Sequence, residues 1–404
     1  MICDIKFCIK NKIILIFCIG LFYTAKGQVY QLATEYKAIP EFVGILVESD
    51  SATLIPGCFI YLHSLKRADE SGKVIVSWDN IKNVVISPDN RYLGLISLLD
   101  KPKNPTEMHV FTFTTFNAIG KKIYSVKSSF INDDGIPQFV FSESKNVLAI
   151  VSQFGEHIKF YNSRGKMIRE KFLSPGIKHS YRNPKGVFSN DGNYFLLNIT
   201  GINNTSDKSQ PDLFMLSSIG EQIWTYQLPL HHAETIGISD HGKYSIVSGP
   251  PSFLESPQPE FQTVLLNNEG KLIEIYPFGF KYYDFDDSES WLLLADEYIL
   301  RLVRLSDGSV YFSKALGYDR TIISDIAILS NREIAVAIGV ESYKDDHVIY
   351  NYPSITVYSY NGNILFHHGF DGDYTCYGKI LVSKSGSQIG ITLQNRFVTF
   401  QKVE

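Results

Sequence analysis

Two short signatures alternate along this chain, and their alternation limits its fold more than any other feature. The first is a Gly-centred turn that opens onto a strand-like run. It occurs seven times, around Ser71-Gly72, Ile119-Gly120, Arg164-Gly165, Ile219-Gly220, Glu269-Gly270, Asp307-Gly308 and Asn361-Gly362. Glycine accepts positive φ at no steric cost, so each copy reads as a tight hairpin turn. The second signature is an apolar run that stops at a small polar stretch before a new run begins. Its copies start at Ile86-Ser87, Phe141-Ser142, Phe188-Ser189, Ile238-Ser239, Phe285-Asp286, Leu329-Ser330 and Val382-Ser383.

The two signatures never occur out of turn, and the unit they define repeats about every 49 residues between Ser87 and Ser383. Each unit reads as strand, polar turn, strand, variable loop, strand, Gly turn, strand. Four short antiparallel strands per 40–50 residues is the period of a propeller blade. A lone blade would expose two apolar faces, so blades must stack side by side. The expected fold is therefore all-β, a seven-bladed β-propeller of four-stranded antiparallel blades, closed by N- and C-terminal strands. Phe42–Glu48 and Phe59–His63 are surplus to seven units, and an eighth blade is the alternative. The last unit lacks an outer strand, and Val74–Trp78 is the strand expected to fill that place. Aromatic residues suit such strands; they make up 13% of the chain, with 24 Tyr and 27 Phe.

Segments such as Ile86-Ser87-Pro88-Asp89-Asn90-Arg91-Tyr92-Leu93-Gly94-Leu95 resemble the WD-repeat-like propeller superfamily, typified by TolB-like and quinoprotein-type repeats. Ile219-Gly220-Glu221-Gln222-Ile223-Trp224 is similar to the end of a quinoprotein repeat. The resemblance covers residues 70–402 and implies a fold without implying an activity. A quinone cofactor stacked on blade tryptophans, as that family would imply, is not expected in a chain with three Trp.

Residues 1–27 have the form of an export signal. Lys6, Lys10 and Lys12 precede an unbroken apolar run from Ile13 to Tyr23, and Ala25-Lys26-Gly27 offers small residues for cleavage before Gln28. Eleven apolar residues are too few for a comfortable ~30 Å span, so no membrane span is expected after cleavage. Residues 28–404 would then form one propeller domain in a secreted or periplasmic protein. The removed segment carries four lysines and one aspartate, so its loss takes the net charge from −4 to −7. That balance excludes a general nucleic-acid surface, which needs a basic face. Of five cysteines, Cys58 and Cys376 remain, a candidate disulfide between the two ends of the chain.

Strand order divides the loops between two faces. First-to-second and third-to-fourth turns share one face and are uniformly tight. Second-to-third loops and inter-blade connections share the other, with long insertions at Leu98–His109, Gly201–Asp212, Gly249–Gln262 and Gly339–Ser354. Long loops on a rigid scaffold are where binding residues concentrate. Phe253, Phe261, Tyr343, Tyr350 and Tyr352 in these insertions are the candidate binding residues, for a protein or glycan partner. The inter-blade connections supply His179, Arg182, His232, Glu234, Asp319, Arg320, Asp371 and Asp373 around the axis. Imidazole and carboxylate suit a divalent cation, and a metal-dependent lyase or hydrolase at this mouth is the alternative function. Against it stand solvated loop residues and turn formers, the more common role of such side chains. Asp284, Asp286, Asp287 and Glu289 lack the spacing of a calcium loop and read as turn acids. No Gly-x-Ser-x-Gly elbow, haem-attachment motif or phosphate loop occurs. A binding or assembly module without a cofactor is thus preferred over an enzyme. Three Asn-x-Ser/Thr sequons, at Asn198, Asn203 and Asn204, add candidate glycosylation sites.

Overall fold

The computed structural model describes residues 30–37, 44–49, 54–61, 64–68, 74–79, 81–86, 92–100, 109–117, 121–130, 138–142, 144–152, 157–173, 184–199, 212–251, 260–329, 332–344, 347–374, 378–383, 387–393 and 396–403. Every regular element among them is a β-strand. β1 is Tyr30–Lys37. β2 to β5 are Gly44–Ser49, Leu54–Tyr61, Ser64–Ala68 and Val74–Asp79. β6 to β9 are Ile81–Ile86, Tyr92–Asp100, His109–Asn117 and Lys122–Phe130. β10 to β13 are Gln138–Ser142, Val147–Ser152, His157–Tyr161 and Met167–Phe172. β14 to β17 are Lys185–Phe188, Tyr194–Asn198, Leu213–Ser217 and Gln222–Tyr226. β18 to β21 are Thr235–Ile238, Tyr244–Gly249, Gln262–Asn267 and Leu272–Tyr276. β22 to β25 are Tyr282–Phe285, Trp291–Ala295, Ile299–Arg304 and Val310–Ala315. β26 to β29 are Thr321–Leu329, Glu333–Lys344, His347–Ser359 and Ile364–Gly369. β30 to β33 are Asp373–Tyr374, Lys379–Val382, Gln388–Leu393 and Arg396–Lys402.

These strands form antiparallel sheets in the meander order expected of blades. Seven sheets have four strands each; an eighth, β26–β29, gains the two-residue β30 on β28. The four-stranded unit read from the turns is the unit of the fold. The surplus strands near the N-terminus pair among themselves as β2–β5 beside the closing sheet, as the eight-blade alternative required.

The radial order follows from which strands touch. First strands pack on first strands, β10 on β14, β14 on β18, β22 on β26 and β26 on β31, so they form the inner wall. Second strands are covered on both sides by neighbouring sheets, which explains their unbroken apolar sequences. Val147–Ser152 and Tyr194–Asn198 are buried along almost their whole length. Outer strands are half-solvated; Met167–Phe172 is mostly exposed. The core is accordingly a series of inter-sheet clusters. One joins Ile96, Phe113 and Tyr124 to Phe141, Leu148 and Ile150 of the next sheet. Each such buried side chain contributes roughly 1.5–3 kcal/mol against an exposed one.

The recurring turn glycines have two reasons to be glycine. Gly270 has φ +74°, and a Cβ there would lie 2.8 Å from the Trp224 ring of the preceding sheet. Gly165, at φ +73°, stands 2.7 Å from Tyr124 in the same sense. These two turns, like that of Gly220 against Phe160, both reverse the chain and receive an aromatic side chain from the neighbouring sheet, whereas Gly362 is held to glycine by its φ of +77° alone.

Closure does use both ends of the chain, with one correction. The outer strand of the last sheet is β1, in the order β1-β33-β32-β31, and Val74–Asp79 instead ends its own sheet as β5. Tyr30 pairs with Lys402 and Lys37 with Arg396. The buried Tyr30 donates its hydroxyl to Glu333 Oε2 at 3.0 Å, while Lys402 Nζ reaches Glu333 Oε1 at 2.8 Å. One carboxylate thus fastens both ends to β27. Burial beside that carboxylate holds the Tyr30 hydroxyl far above its usual pKa.

Candidate functional site

On the tight face the first-to-second turns lock into one another. Asp191 N donates to Asp240 O at 2.9 Å, Asn190 Nδ2 to Asp240 Oδ1 at 2.6 Å, and His241 N to Glu289 Oε1 at 2.8 Å. Lys145 Nζ donates to Asn193 Oδ1 of the next turn. Asp286 caps its own turn, accepting Ser290 N at 2.7 Å and Trp291 N at 2.6 Å. Of the four acids read as turn formers, Asp286 is one, Glu289 instead braces the neighbouring turn, and Asp284 is corrected to an inner-strand residue that bonds the next sheet.

The inner wall carries a feature the sequence did not flag. Its strands have unpaired edges toward the axis, and side chains from the preceding sheet satisfy them. Gln138 Oε1 accepts Gly186 N at 3.0 Å, Asp284 Oδ2 accepts Ile328 N at 2.6 Å, and Asp325 Oδ2 accepts Ile380 N at 2.8 Å. Desolvation pushes the Asp284 carboxyl up to about 7; Asp240 and Asp325 add to the rise, and the N–H groups of Ile328 and Phe285 oppose it. Asp325 is also raised by burial, while Lys379, 3.7 Å away, pulls it back. An acid on a short inner strand looks like any turn acid in sequence. Only its spacing from the polar turn, one residue inside the apolar run, could have marked Asp284.

The candidate residues around the axis fall into separate groups. His232 Nε2 lies 3.5 Å from Glu234 Oε1, and His231 Nδ1 lies 3.1 Å from His232 Nδ1. This connection is held by His231 N on Pro250 O at 2.8 Å and Glu234 N on Ser248 O at 2.7 Å. Asp319 and Arg320 share an exposed turn in which Asp319 has φ +57°. Asp371 is exposed, its carbonyl accepting Tyr374 OH at 3.1 Å, and Asp373 lies on β30 opposite Asn351. Among the described residues, no hydrogen bond or ion pair joins one of these groups to another, and no set of three His, Cys, Asp or Glu side chains is arranged to hold a metal ion. His179, Arg182, Phe253 and Cys376 lie outside the described residues; Cys58 falls on β3 opposite Leu46 and Arg67.

The insertion at 339–354 is corrected from a loop to a hairpin. β27 and β28 run on past the sheet to Lys344 and His347, and β30 pairs beside Tyr350 and Asn351. A bulge opposite Gly339 places Tyr352 at φ +46°, a strained value for a bulky residue. Tyr350 and Tyr352 would share a face in a regular strand. The bulge separates them. Tyr350 turns inward, covers Gly339 and donates to Ser324 Oγ at 2.8 Å, which removes it from the exposed binding set. Tyr352 and Tyr343 remain exposed, at 68% and 72%. Phe261 is half-buried against Gly279. Asn198 is fully buried with Nδ2 on Asp212 O at 3.3 Å, so that sequon is closed to a glycan.

Comparison with solved structures returns the same architecture. The C-terminal WD40 domain of Sif2 matches with a TM-score of 0.52 and 9% identity, covering 93% of this chain and 99% of that one. A eukaryotic initiation factor matches with a TM-score of 0.50 and 12% identity, covering 85% of this chain and 91% of that one. At such identities the likeness establishes a WD40-like β-propeller fold and stops there. No protein-family model matches the chain, and no curated protein matches it by sequence.

Proposed function

We propose that this protein is an exported binding or assembly module that engages a protein or glycan partner through its long-loop face. The asymmetry of the two faces supports it. The tight face spends its polar groups on locking turn to turn. Strand order assigns the long connections to the opposite face, where the extended β27–β28 hairpin and the exposed Tyr343 and Tyr352 belong. Tyrosine is enriched where protein surfaces make contact, because it offers area and a polar tip at low entropic cost. The WD40-like neighbours are consistent with a scaffold whose function resides in its loops. Export rests on the lysine-rich, apolar leader at residues 1–27.

The test is to shorten two insertions, residues 201–211 and 252–259, and follow folding and binding together. Thermal unfolding should stay near that of the intact chain, and a partner cross-linked to the intact chain should no longer be captured. Undiminished capture of that partner would reject the loop face. Retention of the chain in the cytoplasm with residues 1–27 intact would reject export.

A further inference from the structure

We propose that one sector of the long-loop face, built by Tyr298, Tyr318, Tyr343 and Tyr352, binds a neutral polysaccharide by stacking sugar rings on these tyrosines. The inference rests on the loop-face function above and narrows its partner. The four side chains are exposed by 42%, 86%, 72% and 68%. They come from four segments of two adjacent sheets: the β23–β24 turn, the β25–β26 connection, and the β27 and β28 arms of the hairpin. All four segments are second-to-third or inter-blade connections, so topology puts them on the same face.

Backbone hydrogen bonds tie these segments into one surface. Leu316 N and Gly317 N donate to Tyr298 O at 2.8 and 2.9 Å, and Glu341 N donates to Arg320 O at 2.8 Å. The hairpin is braced in turn by Tyr352 N on Gly372 O at 3.4 Å. Two residues here, Asp319 and Tyr352, hold positive φ without being glycine. Strain of that kind persists only where the surroundings enforce it, and it also occurs at Asn146, Glu289 and Arg332 in the tight turns.

The chemistry of the sector selects the ligand class. Among the described residues of its connecting segments, the large apolar side chains that stand exposed are Tyr298, Tyr318, Tyr343 and Tyr352. A protein-binding core would combine aromatic anchors with an apolar surround that excludes water. Here the four tyrosines come from separate segments, and each presents two-fifths or more of its surface to solvent. An exposed phenol offers a ring face and a hydroxyl, the arrangement that accepts the C–H face of a pyranose and bonds its rim; Tyr298, the least exposed of the four, also lies against Gly317. In sequence these segments and their flanks carry Glu297, Asp319, Glu341, Asp345, Asp346 and Asp371 against Lys281, Arg320 and Lys344, a balance that disfavours an anionic polymer.

Affinity electrophoresis tests this with the full chain in gels containing hydroxyethylcellulose, galactomannan or soluble starch, and polygalacturonate as the anionic comparison. At least one neutral polymer should retard the protein, with little change in 0.5 M salt. Tyr318→Ala/Tyr343→Ala should weaken retardation at least 10-fold with unfolding temperature unchanged, and Tyr318→Phe/Tyr343→Phe should keep most of it. No retardation by any neutral polymer, equal retardation of the alanine variant, or retardation by polygalacturonate alone overturns the proposal. A chain that ignores every neutral polymer yet still captures a protein through its long insertions overturns this inference and leaves the loop-face function standing; loss of both overturns both.

Discussion

The tight-turn face and the long-loop face are made by the same strands, yet they use their residues in opposite ways. At Gly270 the chain leaves no room: the Trp224 ring of the neighbouring sheet occupies the space a side chain would take. At Tyr352 the chain accepts a left-handed backbone to hold a large ring in solvent. The first arrangement stabilises the ring of sheets, and the second stabilises nothing inside the molecule. A ring of repeated sheets separates these tasks because packing between blades is complete before the loops are added.

The comparison is most strongly tested two residues apart, at Tyr350 and Tyr352. Tyr350→Ala removes a fully buried ring and should cost about 3–5 kcal/mol, measured by denaturant unfolding. Tyr352→Gly relieves positive φ and should be neutral or stabilising by up to about 1 kcal/mol. Equal effects would erase the distinction between inward and outward positions. On the tight face, Gly270→Ala combines backbone strain with a clash on Trp224 and should cost roughly 2–4 kcal/mol.

The inner wall offers a pH test of intermediate size. The Asp284 carboxyl titrates near 7 in the folded protein, against about 3.9 when unfolded. Folding therefore favours its protonated form. The penalty is absent below about pH 4, grows as pH rises from 4 to 7, and is fully present above 7. Asp284→Asn keeps an acceptor for Ile328 N and should stabilise the protein by about 1–3 kcal/mol at pH 8, with no gain at pH 4. A pH-independent effect would place the carboxylate in a solvated setting. The smallest change is expected on the long-loop face, where Tyr343→Ala should alter stability by less than about 0.5 kcal/mol.

Much of this fold was legible because turns are local. Gly165 and Gly270 announce their hairpins through neighbouring residues alone, and four strands per repeat follows. The identity of the closing strand was not legible. Tyr30–Lys37 meets Arg396–Lys402 across nearly the whole chain, and nothing in its own sequence distinguishes it from Val74–Asp79 as a partner. The 339–354 segment misled for a different reason. Gly339 and Pro353 look like loop residues, but both sit at the hairpin's bulge, where the ladder is already interrupted. That same bulge shifted Tyr350 out of the exposed set. The inner carboxylates Asp284 and Asp325 escaped notice because their partners are backbone N–H groups 44 and 55 residues away.

Tyrosine nitration of the native protein, mapped by peptide mass spectrometry, probes the two-sided arrangement most directly. Tyr318, Tyr343 and Tyr352 should be modified first, while Tyr30, Tyr350 and Tyr374 resist until the protein unfolds. Nitration of Tyr350 as fast as Tyr352 in the folded state would contradict the hairpin geometry and the tyrosine surface built on it.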